Sequence, residues 1–527
     1  MKKEYYYIIL ALFLTFGVVG LIIIASPNEN RPQTQDNNLE TTQVTQETPQ
    51  NGFINKIKGT VRKSYAAGDF YPSEPSLLNT DLENYFDQVE KISGENKLRM
   101  LVMPHAGVQY SGLTDAWGAK QIENESISKV IIIGVSHKHS FKHAAVFSEG
   151  SWETPLGNFQ IDSDTASKLL SQKNSIITDT EKHKDDHNLE VPLLFVKKMV
   201  PNSKIVPIML GNQTTDEIVS FLAFRIASII DDETLLIIST DLSHYPNWED
   251  ANKADRRVID AIVTGYQSEF ERAVKANAQH KYLEHSTSAC GFNAVRVGLR
   301  VAEILNFDDI KELHSVNSGD VTGEKERVVG YTSVAFWSKD LPIISLNEKA
   351  KKEALELARK TLEEHYKGNS LNYTPYSADL LQPIGAFVTL TNNEELRGCI
   401  GNFEPEDPIY KVIQSVAISA ATKDTRFNSV TETELSDIDI EISTMSPQKL
   451  ISNWQDIEIG KHGVRILLDG KSGTLLPQVA TDNNWNLKTF LETICWQKMG
   501  LQDKECYKNP NAKIYTYETD IFTEESE

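Results

Sequence analysis

Short apolar runs that each stop beside a histidine, alternating with helical patterns, restrict what this chain can fold into more than any other feature. Leu101-Val102-Met103 is followed by His105, Val130 to Ile133 by His137, and Leu235 to Ile238 by His244. Cys290 directly precedes an amphipathic stretch from Phe292 to Leu305, and further helical patterns cover Thr215 to Ile230 and Lys253 to Tyr266. This alternation predicts an α/β fold with a largely parallel sheet covered by helices. In such a sheet the carboxyl ends of strands and the amino ends of helices line one crevice, so the four residues are expected to converge. Taken singly, each histidine also reads as a hydrogen-bonded loop residue and Cys290 as an inert buried cysteine. Taken together, two imidazoles and a thiolate make a three-ligand metal site with room for water or substrate. A cysteine at a helix amino end is expected to have a depressed thiol pKa.

Lys2 and Lys3 precede an apolar run from Tyr5 to Ala25, long enough at about 1.5 Å per residue to cross a hydrocarbon core of about 30 Å. It reads as a membrane anchor that leaves the rest of the chain outside the cytoplasm. The alternative, a cleaved signal peptide, is opposed by the length of the run and by the poor cleavage motif Ile23-Ile24-Ala25. Residues 26 to 57 are rich in Asn, Gln, Thr, Glu and Pro and read as a disordered tether. A net charge of -21 argues against a nucleic-acid partner, which needs a basic surface. Four cysteines are too few for a disulfide scaffold, and a Cys495 to Cys506 bridge stays open on sequence grounds.

Ten of the twelve histidines lie between His105 and His314, with only His365 and His462 beyond. The shift falls near Asp340-Leu341-Pro342, after the strand-like Val329 to Trp337. Ser345-Leu-Asn-Glu348 then reads as a capping box that opens a helix to about Tyr366. Two independently folding domains are expected, 58 to 340 and 343 to 523. The second, with helices near 348 to 366, 408 to 421 and 488 to 499 and strands at Gly385 to Thr391, Ile438 to Thr444 and Val464 to Leu468, reads as α+β.

Some motifs are decoys. His183 and His187 have helix-face spacing, but Lys182, Lys184, Asp185 and Asp186 around them read as a solvated turn. Gly470-Lys-Ser-Gly-Thr474 is no phosphate loop, because Arg465 stands where its first glycine must be. Neither a G-x-S-x-G elbow nor a G-x-G-x-x-G fingerprint is present.

Ala66-Ala-Gly-Asp-Phe-Tyr-Pro72, Pro104-His-Ala-Gly107, Gly134-Val-Ser-His137, Thr154-Pro-Leu-Gly157, His187-Asn-Leu-Glu-Val-Pro192, Ser239-Thr-Asp-Leu-Ser-His-Tyr245 and Asn317-Ser-Gly-Asp320 follow one another in an order that closely resembles the MEMO family. That family is similar to class III extradiol dioxygenases, whose iron is held by two histidines and a carboxylate. The resemblance implies that His105, His137 and Cys290 are metal ligands and that Asp241 and His244 are the inner-pocket acid and histidine, His244 moving protons and Asp241 orienting it. His187 and Glu190 match a further motif, with structural hydrogen bonding as the plainer reading. A thiolate in place of the carboxylate favours Fe(II), Cu(I) or Zn(II). Leu396-Arg-Gly-Cys-Ile-Gly401, Asp424-Thr-Arg-Phe427, and Gly460-Lys-His-Gly-Val-Arg465 through Leu475-Leu-Pro-Gln-Val-Ala480 to Trp485 resemble the AMMECR1 domain. There Arg397, Cys399, Arg426 and His462 either line a pocket or, as the plainer reading, belong to a tight turn with a buried cysteine.

The two families, with a radical-SAM protein, make up the AmmeMemoRadiSam system, so such a partner is implied. The expected function is oxidative chemistry on a small organic substrate. The rival is a non-catalytic module that buffers metal or docks a peptide.

Overall fold

A computed structural model describes residues 60–92, 96–171, 175–279, 287–342, 344–403, 405 and 407–524. The anchor expected at 5–25 and the tether at 26–57 lie outside them. No described helix is long and apolar enough to cross a membrane.

Four parallel strands form the centre of the first sheet, in the order Lys204–Leu210, Lys129–Val135, Thr234–Ser239, Lys97–Met103. Ile131, Ile132 and Ile133 are fully buried, because helices cover both faces of a central parallel strand. The expectation of a largely parallel sheet holds for this centre and for the pairings of Phe159–Ile161 with Lys204–Leu210, Ala144–Val146 with Ile176–Thr178, and Val61–Arg62 with Ser151–Trp152, but not for the opposite edge. Beyond Lys97–Met103 the sheet continues with Gly330–Ser338 and Asp309–Asn317, both antiparallel. A parallel return would need a crossover of a dozen or more residues, whereas the short helix Ser318–Thr322 is all the helix between these two strands. Asp309–Asn317 is half exposed along most of its length and includes Asp309, Lys311, Glu312 and His314, so it lacks the apolar run that marks the other strands.

The helix Phe292–Ile304 is buried at every position from Asn293 to Ala302. A helix covered all round has neighbours on both sides. Val295, Leu299 and Ala302 belong to the same continuous apolar core as Leu380, Ile384, Ile409 and Ile413 of the second domain. Arg300, 4% exposed, pairs with Asp379 across this junction.

In the second domain the helix Glu348–Tyr366 is capped by Asn347, whose side chain accepts from the Ala350 amide at 2.9 Å. Asn347 therefore replaces the Ser345 box, and its amide and side-chain nitrogen both donate to Asp379. Antiparallel strands Glu395–Asn402, Gly385–Asn392, Ile438–Met445 and Thr519–Thr523 form one sheet, and Lys449–Ile451, Lys513–Tyr517, Gly463–Leu468 and Lys471–Leu475 a second. The motif Leu396 to Gly401, read above as a tight turn, is strand. A side chain at Gly398 would meet the Ala420 carbonyl oxygen at 2.2 Å, so that glycine serves close packing against the helix Ile409–Thr422. The helix expected at 488–499 is α only over Leu487–Thr493, then widens to a π turn at Ile494–Lys498, where Cys495 is bridged to Cys506.

Candidate metal centre

The Lys97–Met103, Lys129–Val135 and Thr234–Ser239 strands end at one edge of the sheet, and the loops leaving them carry His105, His137, Asp241 and His244. Cys290 lies against the same edge because Gly291 packs on the strand end: a side chain there would come within 2.5 Å of the Ser239 carbonyl oxygen. Asp241 donates its amide to Cys290 Sγ at 3.2 Å and accepts the His105 amide on Oδ1 at 2.8 Å.

Among the described residues two groups have donor atoms all within 4.8 Å of one another: His105, His137 and His187, and His105, Asp241 and Cys290. His105 belongs to both, and its Nε2 lies 3.2 Å from Cys290 Sγ. The expected trio of His105, His137 and Cys290 is split between the two groups, His137 in the first and Cys290 in the second with His105 in both, while His187 and Asp241 join from outside the expected ligands. The His137 and His187 rings stack at 4.8 Å, His105 stands edge-on to both, and Phe70 stacks on the other side of His187 at 4.0 Å.

Hydrogen bonds select the tautomers. The Ser239 hydroxyl donates to the Asn188 carbonyl at 2.5 Å, so it can only accept from His105 Nδ1, 2.8 Å away. His105 Nε2 then carries a lone pair. His137 Nδ1 donates to Asp186 at 3.0 Å, and Asp186 also accepts the His137 amide at 2.7 Å. In its neutral form each ring therefore presents an unprotonated Nε2, the arrangement that carboxylate and hydroxyl partners give to metal-binding imidazoles.

Burial holds His105 well below the usual histidine range, with His137 adding to the effect, and lowers His187 to about 3. Burial acts on His137 in the same direction, but the Asp186 carboxylate outweighs it and raises that ring. Burial alone would raise Asp186, yet bonds from His137 bring it down to about 2. The depressed thiol expected at Cys290 is not found. Burial raises it, and the neighbouring Asp241 carboxylate raises it further. A cation at this place reverses the sign, since it stabilises a thiolate directly. Asp115, fully buried beneath the centre, is raised by burial and leaves Oδ1 without a hydrogen-bond partner.

The turn around His183 to His187 is solvated on one side only: Lys184 is exposed, while His183 and Asp186 are buried. His183 is buried between Phe147 and Trp152 with Nε2 on the Ala145 carbonyl, and Asp186 is buried beneath His137. Arg62 holds this turn through the carbonyls of His183 and Asp186 and pairs with Glu190, both side chains fully buried. Glu190 also accepts the amides of Tyr65 and Ala66 and the Tyr71 hydroxyl. Glu190 is structural, and it places Phe70 against His187. The sequence signal for His187 was the one used for Cys290, a donor just ahead of a helix, here Glu190–Met199.

His244 acts by charge on His105 and Asp241, but its Nδ1 lies 3.0 Å from the Leu242 carbonyl. The carbonyl fixes the Nδ1 edge of the ring. In the second domain Arg397 is tied to Glu434 and Arg426 to Asp424, which also accepts the Cys399 amide. His462 accepts the Glu458 amide in a local turn.

Residues 62–335 match the family described as Memo-like protein, and residues 355–522 match AMMECR1. The chain is 33% identical over 282 residues to a MEMO1 family protein of Thermoplasma volcanium, covering 52% of this chain and 97% of that one. A MEMO1 family protein of Aquifex aeolicus is 32% identical over 279 residues, covering 52% of this chain and 99% of its own. An uncharacterized protein of Pyrococcus horikoshii with a solved structure is 31% identical, covers 34% of this chain and 94% of its own, and superposes with a TM-score of 0.33.

Proposed function

Since this chain belongs to the Memo family through residues 62–335 and carries an AMMECR1 domain at 355–522, we propose that its first domain is a mononuclear metal centre performing oxidative chemistry on a small organic substrate. The supporting observation is the donor set: His105 and His137 with Nδ1 on Ser239 and Asp186 and Nε2 left for a ligand, His187 stacked beside His137, and Cys290 Sγ against His105. Because His105 offers a single free nitrogen, the two groups that share it cannot each hold an ion at once, and we read them as one site. Imidazoles with a thiolate suit Fe(II), Cu(I) or Zn(II). A redox-active ion would supply dioxygen activation in a fold of the class III extradiol dioxygenase type. His105, His137 and Cys290 hold the ion, His187 completes the wall, and His244 takes and returns a proton of the substrate.

Four protein donors around one ion favour a second reading, a closed site that stores metal or docks a peptide without turnover. The Tyr5 to Ala25 run and the Cys495–Cys506 disulfide support placing the domains outside the cytoplasm, anchored to the membrane. Family resemblance suggests a radical-SAM partner.

Anaerobic purification of the full chain with metal analysis is the test. About one transition metal per chain is expected, with loss in His105→Ala, His137→Ala and Cys290→Ala, and oxygen uptake with catechol by the iron form. Stoichiometric metal in the triple variant overturns the site, and a metal-loaded chain inert toward every diol favours the storage reading.

A further inference from the structure

Two cations lie over aromatic rings of the segment that follows His244, Arg327 over Tyr245 and Lys325 over Trp248, and the chemistry outlined above does not use them. Tyr245 follows His244 directly and is held at φ +69°, a left-handed conformation that an aromatic side chain seldom adopts. The backbone around it fixes that conformation. Tyr245 donates its amide to the Val328 carbonyl at 2.7 Å, Val328 donates to the Pro246 carbonyl at 2.9 Å, and His244 forms an antiparallel bridge with Val329. A strained residue so fully held by its surroundings is a feature of functional sites.

The result is a tyrosine ring 57% exposed beside the centre, its centroid 5.7 Å from that of His244. The Arg327 guanidinium lies over this ring at 4.7 Å. Two residues earlier, Lys325 Nζ lies over Trp248 at 4.2 Å, and the Trp248 indole donates to Asp320 at 2.6 Å. Among the described residues neither cation is recorded in an ion pair, although Glu324 and Glu326 flank Lys325 in sequence. Both cations are turned onto aromatic faces rather than onto carboxylates.

A guanidinium stacked on an aromatic face loses little further freedom on binding, and the N–H groups along its edge match the two oxygens of a carboxylate. The geometry points to a carboxylate-binding subsite formed by Arg327 on Tyr245, supported by Lys325, for a small aromatic substrate whose other end reaches the metal centre. This rests on the oxidative reading and names its substrate class. Arg327 binds and orients, and the chemistry stays with the centre.

The test is calorimetric titration of the metal-loaded full chain with 3,4-dihydroxybenzoate, catechol and benzoate. The wild type is expected to bind dihydroxybenzoate about tenfold or more tighter than catechol, with the difference shrinking as salt is raised. Arg327→Met brings that ratio to about one while metal content stays at the wild-type level, and Tyr245→Gly, which relieves the left-handed strain, lowers it as well. Equal affinity for the two diols in the wild type, or a ratio unchanged in Arg327→Met, overturns the subsite and leaves the oxidative reading standing. Benzoate, which carries the carboxylate but no hydroxyls, separates the two ideas. If neither diol binds, the oxidative reading falls, and Arg327-dependent benzoate binding alone then decides whether the subsite stands.

Discussion

The Ser239 hydroxyl has one proton and gives it to the Asn188 carbonyl, and that choice turns the lone pair of His105 toward Cys290. Leu242 does the same for His244. With Nδ1–H on the Leu242 carbonyl, Nε2 is the basic atom of that ring. Asp241 accepts the His105 amide on Oδ1, and it and His244 act on each other by charge. His244→Ala is therefore expected to keep the metal, because His105, His137 and Cys290 remain, and to lose roughly 100-fold to 10,000-fold in turnover, the range for removing a general acid or base. Metal content and oxygen uptake measured side by side check it. Metal loss matching that of His105→Ala would make His244 a ligand instead.

The loop from Thr240 to His244 has its own support from the helix Trp248–Val263. Asp255 on that helix accepts the Ser243 amide at 2.9 Å, and Gly330 leaves room for its carboxyl, since a side chain there would meet Asp255 Oδ2 at 1.9 Å. Burial, only partly offset by the bond from Ser243, pushes the carboxyl up to about 7 from an ordinary 3.8. The folded state thus holds a proton that the unfolded chain releases. The associated stability is fully present below about pH 4 and is lost as pH rises through about 7. Asp255→Asn keeps an acceptor for Ser243 and removes the titration. Its unfolding free energy relative to wild type should rise between pH 5 and pH 8, by an amount on the order of 1–3 kcal/mol. A difference that does not change across that range would show that Asp255 is ionised in the folded protein.

At the scale of the whole molecule, the Phe292–Ile304 helix starts beside Cys290 and ends against the second domain. Arg300 meets Asp379, which also anchors the cap residue Asn347, while Arg296 reaches Asp216 and Glu271. Two domains that share an apolar core and a buried ion pair lose both when separated, contrary to the expectation of independent folding. Asp379→Ala, which removes the cross-junction partner of Arg300 and the anchor of Asn347 but leaves Arg300 paired with Glu303, is expected to cost about 1–3 kcal/mol. Calorimetry should show a single unfolding transition in the wild type, shifted down in the variant. Fragments 58–340 and 343–523 should be less stable alone than together. Two transitions in the intact chain, or fragments as stable as the whole, would refute the coupling.

Apolar periodicity determined what depends on local burial: the strands ending near His105, His137 and His244, the helix after Cys290, and the helices Glu348–Tyr366 and Ile409–Thr422. It failed where burial and period part company, as at the half-exposed strand Asp309–Asn317 and the strand around Cys399, whose glycines mimic a turn. Which side chain reaches which was decided only by the tertiary structure. Arg62 finds Glu190 across 128 positions, Asp186 finds His137 across 49, and Cys290 finds His105 across 185. These pairings depend on the paths of loops over the sheet edge, and residue order along a strand or helix carries no record of those paths. The same gap explains Cys290: its place before a helix was legible, but the thiol's raised pKa comes from burial beside the Asp241 carboxylate, a neighbour only the fold supplies.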